Sequence, residues 1–507
     1  MGAVTLITRC FVCLFLALAA EVRLPALISD HMLLQQGVPV RIWGRAEPGE
    51  AVRVELVGQQ VGAVADAAGR WAVYVKPLAA GGPHEIIIAG RNKIVVRDVL
   101  VGEVWVGSGQ SNMQWPVSRT DNAEQEIARA NYPEIRLFQV KMAVADQPAE
   151  DTEGAWEVCS PEAVKNFSAV GYYFAREVHL KRRVPVGLIQ SAWGGTPAQS
   201  WTSRPALDAE PALKFVLEDW QKVLENYPTA KQNYDQQLEE WKQAAGQAKA
   251  AGTAPPAQPR PPQGPGHQNT PSGLYNAMIA PLVPYAIRGA IWYQGESNAS
   301  KPHAYPYRRL FRTMIEDWRH AWGLGPFPFL FVQLANFQSN GWWPLLRESQ
   351  VEALGLRHTG MAVTIDIGMS KDIHPTNKQE VGRRLALAAR AIAYREDVIY
   401  SGPLFRQLTA ENGRLRVWFD HAAGGLEARG GGPLTGFLIA GEDGKFLPAE
   451  ARIEGETVVV STPEVRRPVA VRYAWSDDPV SANLINQAGL PASPFRTDAA
   501  PDPVAAP

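Results

Sequence analysis

Ser111 stands where an alternating apolar run breaks into small residues, in Gly102-Glu-Val-Trp-Val-Gly-Ser-Gly-Gln-Ser-Asn-Met-Gln-Trp-Pro116. The β-branched run Val99 to Val106 reads as a core strand, and Gly107, Ser108 and Gly109 allow a sharp turn after it. A serine held rigidly and exposed at such a turn can attack a carbonyl once a base takes its proton. The same position also reads as a helix N-cap. A base is available among nine histidines: His374, in Lys371-Asp-Ile-His-Pro375, follows Asp372 by two positions. Residues two apart in an extended segment point the same way, so the Asp372 carboxylate can reach Nδ1 and fix the imidazole tautomer. Pro375 favours that extended conformation. A histidine that merely packs above a helix start is the competing reading.

Two further segments supply polar groups where a sheet of this type would end. Gln190-Ser-Ala-Trp-Gly-Gly-Thr196 can offer the backbone N–H of Gly194 or Gly195, and Gln294-Gly-Glu-Ser-Asn298 can offer a side-chain amide. Each follows an apolar strand-like run, Val184–Gln190 and Ile287–Tyr293, and each alone also reads as an ordinary turn. In open α/β sheets ligands bind beyond the carboxyl ends of the strands, so these loops, the Ser111 loop, Asp372 and His374 can converge on one crevice.

The elements that must position these groups follow from pattern. Helical stretches at about 123–130 and 169–180 alternate with the apolar runs, which predicts an α/β layer with a mostly parallel sheet over 99–400. Thr376 and Gln379 predict a capping box for a helix buried through Val381, Leu385, Ala388 and Ile392. Before this layer, residues 21–98 show short alternating runs, Val40–Trp43, Val52–Leu56, Trp71–Val75, Glu85–Ile88 and Lys93–Val96, the pattern of an antiparallel β-sandwich, with His31 and His84 as structural side chains. An insertion at about 205–268 reads as a charged, glutamine-rich helical arm closed by a proline-rich loop, a solvated spacer. Runs at Arg414–Phe419, Phe437–Ala440, Thr457–Ser461 and Val469–Ala474 predict a C-terminal β domain over 401–490, and 491–507 reads as a disordered tail.

Composition bounds the functions available. A chain of 507 residues suggests roughly three domains. A formal net charge of −1 offers no basic surface for nucleic acid. Residues 1–20, with Arg9, the apolar run Cys10–Ala19 and the small residues Ala17 and Ala19, read as an export signal, so a secreted or periplasmic protein is expected. No later stretch reaches the length of a membrane span. Cys10 and Cys13 fall inside that signal, leaving Cys159 as a lone, structural thiol with no partner for a disulfide or a cysteine metal site. Clustered histidine ligands are absent too, and no cofactor is expected. A dinucleotide fingerprint fails because its third glycine falls on Asn112, and the Gly-x-Ser-x-Gly elbow fails at Met113. Among sixteen tryptophans, Trp115, Trp193, Trp342 and Trp343 are candidates to line a sugar cleft, with Arg347 or Arg204 facing an acidic sugar; packing and neighbouring acids are their other fates.

Taken together, Gly109-Gln-Ser-Asn-Met113, Trp193-Gly-Gly-Thr196, Trp292-Tyr-Gln-Gly-Glu-Ser-Asn298 and Asp372-Ile-His-Pro375 resemble the blocks of the SGNH hydrolase superfamily, and within it the sialate O-acetylesterase branch. The resemblance covers nearly the whole chain after residue 20. It implies a three-layer α/β/α core flanked by β domains, and hydrolysis of acetyl esters on sugars. It also implies Ser111 as nucleophile, His374 as base and Asp372 as its orienting partner. Oxyanion donors would be the N–H groups of Ser111 and Gly195 or Gly194, and an amide from Gln294 or Asn298. The superfamily usually has Gly-x-Asn in its third block and Asp-x-x-His in its last; this chain has neither, so Asp366 stands as a fallback partner for His374. Within this class an acetylxylan esterase is the alternative to a sialate esterase, and a non-catalytic carbohydrate-binding protein is the rival from another class.

Overall fold

This computed structural model describes residues 21–422 and 424–499, so the export-signal reading of residues 1–20 lies outside the described residues. Seven strands make the central sheet: β1 (Lys93–Gly109), β2 (Tyr132–Gln139), β3 (Trp156–Cys159), β4 (Val186–Ala192), β5 (Gly289–Tyr293), β6 (Phe329–Val332) and β7 (Thr359–Ala362). Their spatial order is β7-β6-β5-β1-β4-β2-β3. Every pairing is parallel except that of β2 with the edge strand β3. Strands β4, β5 and β6 are buried along their whole length, as both faces of a parallel sheet must be.

Five helices matter for the site: α1 (Ser111–Gln114), α2 (Ala169–Arg182), α3 (Lys214–Ala250), α4 (Tyr307–Trp322) and α5 (Lys378–Ile392). Side chains alternate along a strand, so Trp105, level with Gly289, and Trp292, level with Ser108, lie on opposite faces of the sheet. Trp105 meets Phe174 of α2, with ring centroids 5.0 Å apart. Helix α5 packs closely on α2 because residue 382 is glycine; a Cβ there would sit 2.6 Å from that of Tyr173. On the other face Trp292 and Phe331 pack against Phe311 and Trp318 of α4, whose buried residues recur at three- and four-residue intervals.

Residues Leu33–Gln35, Ala51–Leu56, Gln59–Val64 and Gly81–Ala89 extend the sheet along the first half of β1, facing a two-stranded sheet of Val40–Arg45 and Arg70–Val75. The boundary expected at 98/99 therefore falls inside one continuous strand. Asp98 turns there with φ +55°, held by both terminal nitrogens of buried Arg136 at 2.6 and 3.0 Å. At the other end, Leu404–Glu411, Arg414–Asp420, Thr457–Ser461 and Glu450–Glu454 form one antiparallel sheet. A second contains Phe437–Ala440, Ala470–Tyr473 and Phe495–Arg496. The expected disorder from 491 is thus corrected as far as Asp498: Phe495 stacks on Phe405, and Asp498 binds Arg472 at 2.6 Å. Composition rich in proline and alanine is outweighed there by one aromatic anchor and one ion pair.

Helix α3 carries half-buried Trp220, Leu224, Tyr227, Tyr234, Leu238 and Trp241 on one stripe. The proline-rich return covers that stripe: Trp241 Nε1 donates to Pro256 O at 2.8 Å, and Gly264 lies directly on the Tyr227 ring. Helix α5 is capped by Asn377 accepting from Glu380 N at 3.2 Å, one residue later than the expected Thr376–Gln379 box. Gln379 instead reaches Asp121 O.

Candidate active site

All four sequence blocks sit beyond the carboxyl ends of parallel strands. Ser111 opens α1 just after β1, 193–196 follows β4, 294–298 follows β5, and Asp372 and His374 lie on the long connection from β7 to α5. The turn out of β1 is tight. Gly109 has φ +137°, and a Cβ there would strike Tyr293 O at 2.1 Å, so only glycine lets β1 and β5 stay paired up to the serine. Helix α1 is fastened by Ser168 Oγ, which donates to Met113 O at 2.6 Å while capping α2 through Gly171 N.

His374 Nε2 lies 2.9 Å from Ser111 Oγ across 263 positions of sequence. The ring is stacked face to face on Trp115, centroids 4.6 Å apart at 12°, which fixes its plane. Asp372 Oδ1 accepts the His374 backbone N–H at 2.9 Å and stands 3.6 Å from Nδ1. The carboxylate thus shapes the loop and lies at ion-pair distance from the ring. The fallback Asp366 is corrected: its two oxygens are taken by Arg384 at 2.6 and 2.7 Å and by Arg429 at 2.8 Å. Burial holds the imidazole below its ordinary ionisation range; Lys378 adds to this, Asp372 opposes it and Arg119 assists.

The loop after β4 lies against the serine, where a Cβ on Gly194 would meet Ser111 Cβ at 3.2 Å. Its Gly194 N–H is not free, because Gln114 Oε1 accepts it at 2.8 Å, which corrects Gly194 as an oxyanion donor. Gly195, at φ +75°, has no hydrogen bond to its N–H among the described residues. Gln294 is corrected as well. Fully buried, it donates to Asn298 Oδ1 at 2.7 Å and Thr196 O at 3.3 Å, which engages both amide hydrogens. Asn298 donates to Gln199 Oε1 at 3.0 Å and accepts from Ala198 N at 2.9 Å, so these two amides chiefly brace the 193–199 loop.

The expected sugar contacts fare unevenly. Trp193 is half-buried on the loop after β4, and Trp115 gives one face to His374. Arg347 is withdrawn. It is completely buried, and its guanidinium donates to the carbonyls of Leu334, Ala335, Ser476 and Asp477 at 2.7 to 2.9 Å. Trp343 is buried with Nε1 on Ala335 O, and Arg204 pairs with Asp208 four residues along its own helix. Gln114, Gln268 and the group Asn112, Glu296 and Lys378 also bear on the site, with no role assigned to them by the sequence. Gln268, on the return of the insertion, donates to Gly194 O at 2.9 Å, so the supposed spacer touches the site. Nothing local marks these residues; each becomes visible only through its partner.

A parallel sheet presenting a serine–histidine couple at the carboxyl ends of its strands has the form that serine esterases of the α/β class share. Comparison with known proteins narrows the class. The family model described as carbohydrate esterase, sialic acid-specific acetylesterase, matches residues 101–252 and 266–391, and the chain belongs to this family. It is 31% identical to the sialate O-acetylesterase of Mus musculus over 93% of this chain and 94% of that one. Identity with the Homo sapiens sialate O-acetylesterase is 29%, covering 93% and 92%. A solved carbohydrate acetylesterase from Xanthomonas citri superposes with a TM-score of 0.81 at 39% identity, covering 94% of this chain and all of that one.

Proposed function

We propose that the protein is a serine esterase that removes acetyl groups from O-acetylated sialic acid, with Ser111 as nucleophile, His374 as general base and Asp372 as the acid beside it. The observation that carries this reading is the 2.9 Å contact of His374 Nε2 with Ser111 Oγ, in a chain of an acetylesterase family. Ser111 Oγ attacks the acetyl carbonyl carbon as its proton passes to Nε2. The tetrahedral oxyanion is met by the N–H groups of Ser111, in the first turn of α1 where amides lack helical acceptors, and of Gly195. Collapse breaks the bond to the sugar oxygen, which leaves with the proton from Nε2. Water, deprotonated by His374, then releases acetate and frees Ser111. Each oxyanion donor contributes about 3 kcal/mol to the transition state.

The test is acetate release from 9-O-acetylated sialic acid and from acetylated xylo-oligosaccharide, side by side, with Ser111→Ala as control. Preference for the sialate with an inert S111A variant is expected. The likeness to a carbohydrate acetylesterase at 39% identity favours a second reading, a broader glycan deacetylase, and preference for the xylo-oligosaccharide would establish it. An active S111A variant would overturn both. Export remains part of the proposal; N-terminal sequencing of secreted protein, expected to begin near residue 21, tests it.

A further inference from the structure

Around Asn112, between the neighbours of Ser111 and His374, lies a group of charges that the reaction above does not use. Lys378, at the start of α5, is fully buried, and Glu296, after β5, is half-buried with its Oε2 sealed from solvent; the two are joined through Asn112, the residue next to the nucleophile. Asn112 Oδ1 accepts from Lys378 Nζ. Its Nδ2 donates to Glu296 Oε1 at 2.6 Å and to Ile373 O at 2.9 Å. One amide therefore ties the serine helix, the β5 loop and the peptide immediately before His374 to each other. Among the described residues Glu296 Oε2 has no hydrogen-bond partner, and Lys378 Nζ lies 5.2 Å from the centre of the Tyr293 ring. Taking two charges out of water at this depth is unfavourable, and apolar residues of the same volume would pack here at lower cost. Their presence beside the reacting atoms calls for a role.

We propose that Lys378 is a positioning residue for His374, acting through Asn112 and Glu296 to hold the 371–375 loop on the serine helix and placing a buried cation near the imidazole. This rests on His374 being the general base. The groups facing the imidazole are Lys378 from α5, Arg119 from the segment after α1, and Asp372 from its own loop; the first two lower its proton affinity and Asp372 raises it. Lys378 is itself pulled down to about 7 by burial, against the opposing pull of Glu296 and Asp372. A cation near the ring keeps the base unprotonated at pH values where a free imidazole would be charged.

The experiment compares pH profiles of kcat/KM on an aryl acetate for wild type, Lys378→Gln and Lys378→Met, with S111A and His374→Ala in the same series. Gln keeps a donor for Asn112 without the charge, and Met removes both. Both variants should move the acid limb to higher pH by about half a unit or more. Met should also lower the plateau kcat roughly tenfold. An acid limb identical to wild type in K378Q, at whatever plateau, overturns the proposal, and K378Q decides alone if K378M does not fold. Activity of S111A or H374A would instead sink the underlying mechanism, so the two failures are distinguishable.

Discussion

With His374 as the proposed base, the pH dependence of the reaction becomes a property of one residue's surroundings. Its ionisation is held below the ordinary imidazole value by burial first and by Lys378 next, and the base works only when neutral. Activity therefore rises with pH through the folded value and is already present below about pH 6.5, where an exposed imidazole would be half charged. A kcat/KM profile whose acid limb falls at or above that value would contradict this. Arg347 shows how far residue type misleads without context. An arginine among tryptophans reads as an anion contact, yet this one is sealed in the core, where burial draws its ionisation down to about 9 and four carbonyls take its hydrogens. Arg347→Met should cost roughly 3 kcal/mol or more, because buried carbonyls lose a charged donor, while KM of the folded protein stays unchanged. Thermal melts alongside KM check both halves; a raised KM would restore the substrate role.

Elements carry the loop proposed to meet the oxyanion. The 193–196 segment follows β4 at the position its apolar run predicts, but its geometry is set from two sides, by Gln114 on Gly194 N–H and by Gln268 on Gly194 O. Gln268 arrives there only because α3 and its proline-rich return fold back on themselves. Gln268→Ala should lower kcat several-fold with KM and melting temperature nearly unchanged, since the lost bond fixes the peptide leading to Gly195 and little else. Wild-type kcat in that variant would return the insertion to the role of spacer. Helix α5 was legible from its apolar spacing, whereas its cap was displaced by one residue because Gln379 found a tertiary acceptor in Asp121 O.

At the scale of the molecule, one continuous apolar cluster runs from Val22 to Phe495, and polar pins lock its parts. Asp98 on Arg136 is such a pin, joining the N-terminal strands to the central sheet. The hydrogen bond from Arg136 holds the Asp98 carboxyl below its usual range, with burial opposing. A carboxyl depressed in the folded state stabilises above its unfolded value of 3.8 and loses that contribution as pH falls through the folded one. Asp98→Asn should therefore be less stable than wild type at neutral pH by on the order of 1 kcal/mol, with the gap closing on acidification. Melting curves from neutral pH down to about 3 measure it, and a gap that widens in acid would refute the assignment. On the opposite side Arg347, Asp477 and Asp478 fasten the C-terminal sheets to the segment after β6. Local pattern by itself determined the parallel sheet and the buried face of α5 and marked Ser111 and His374 as candidates, because strand and helix periods and the turn chemistry of Gly109 act over a few neighbouring residues. Only tertiary structure decided that Asp366 belongs to Arg384, that Gln294 is engaged, that β1 runs unbroken through residue 98, and that Lys378 meets Asn112 beside Ser111. Those outcomes depend on which polar groups, hundreds of positions apart, reach one another once water is excluded, and no spacing along the chain encodes that.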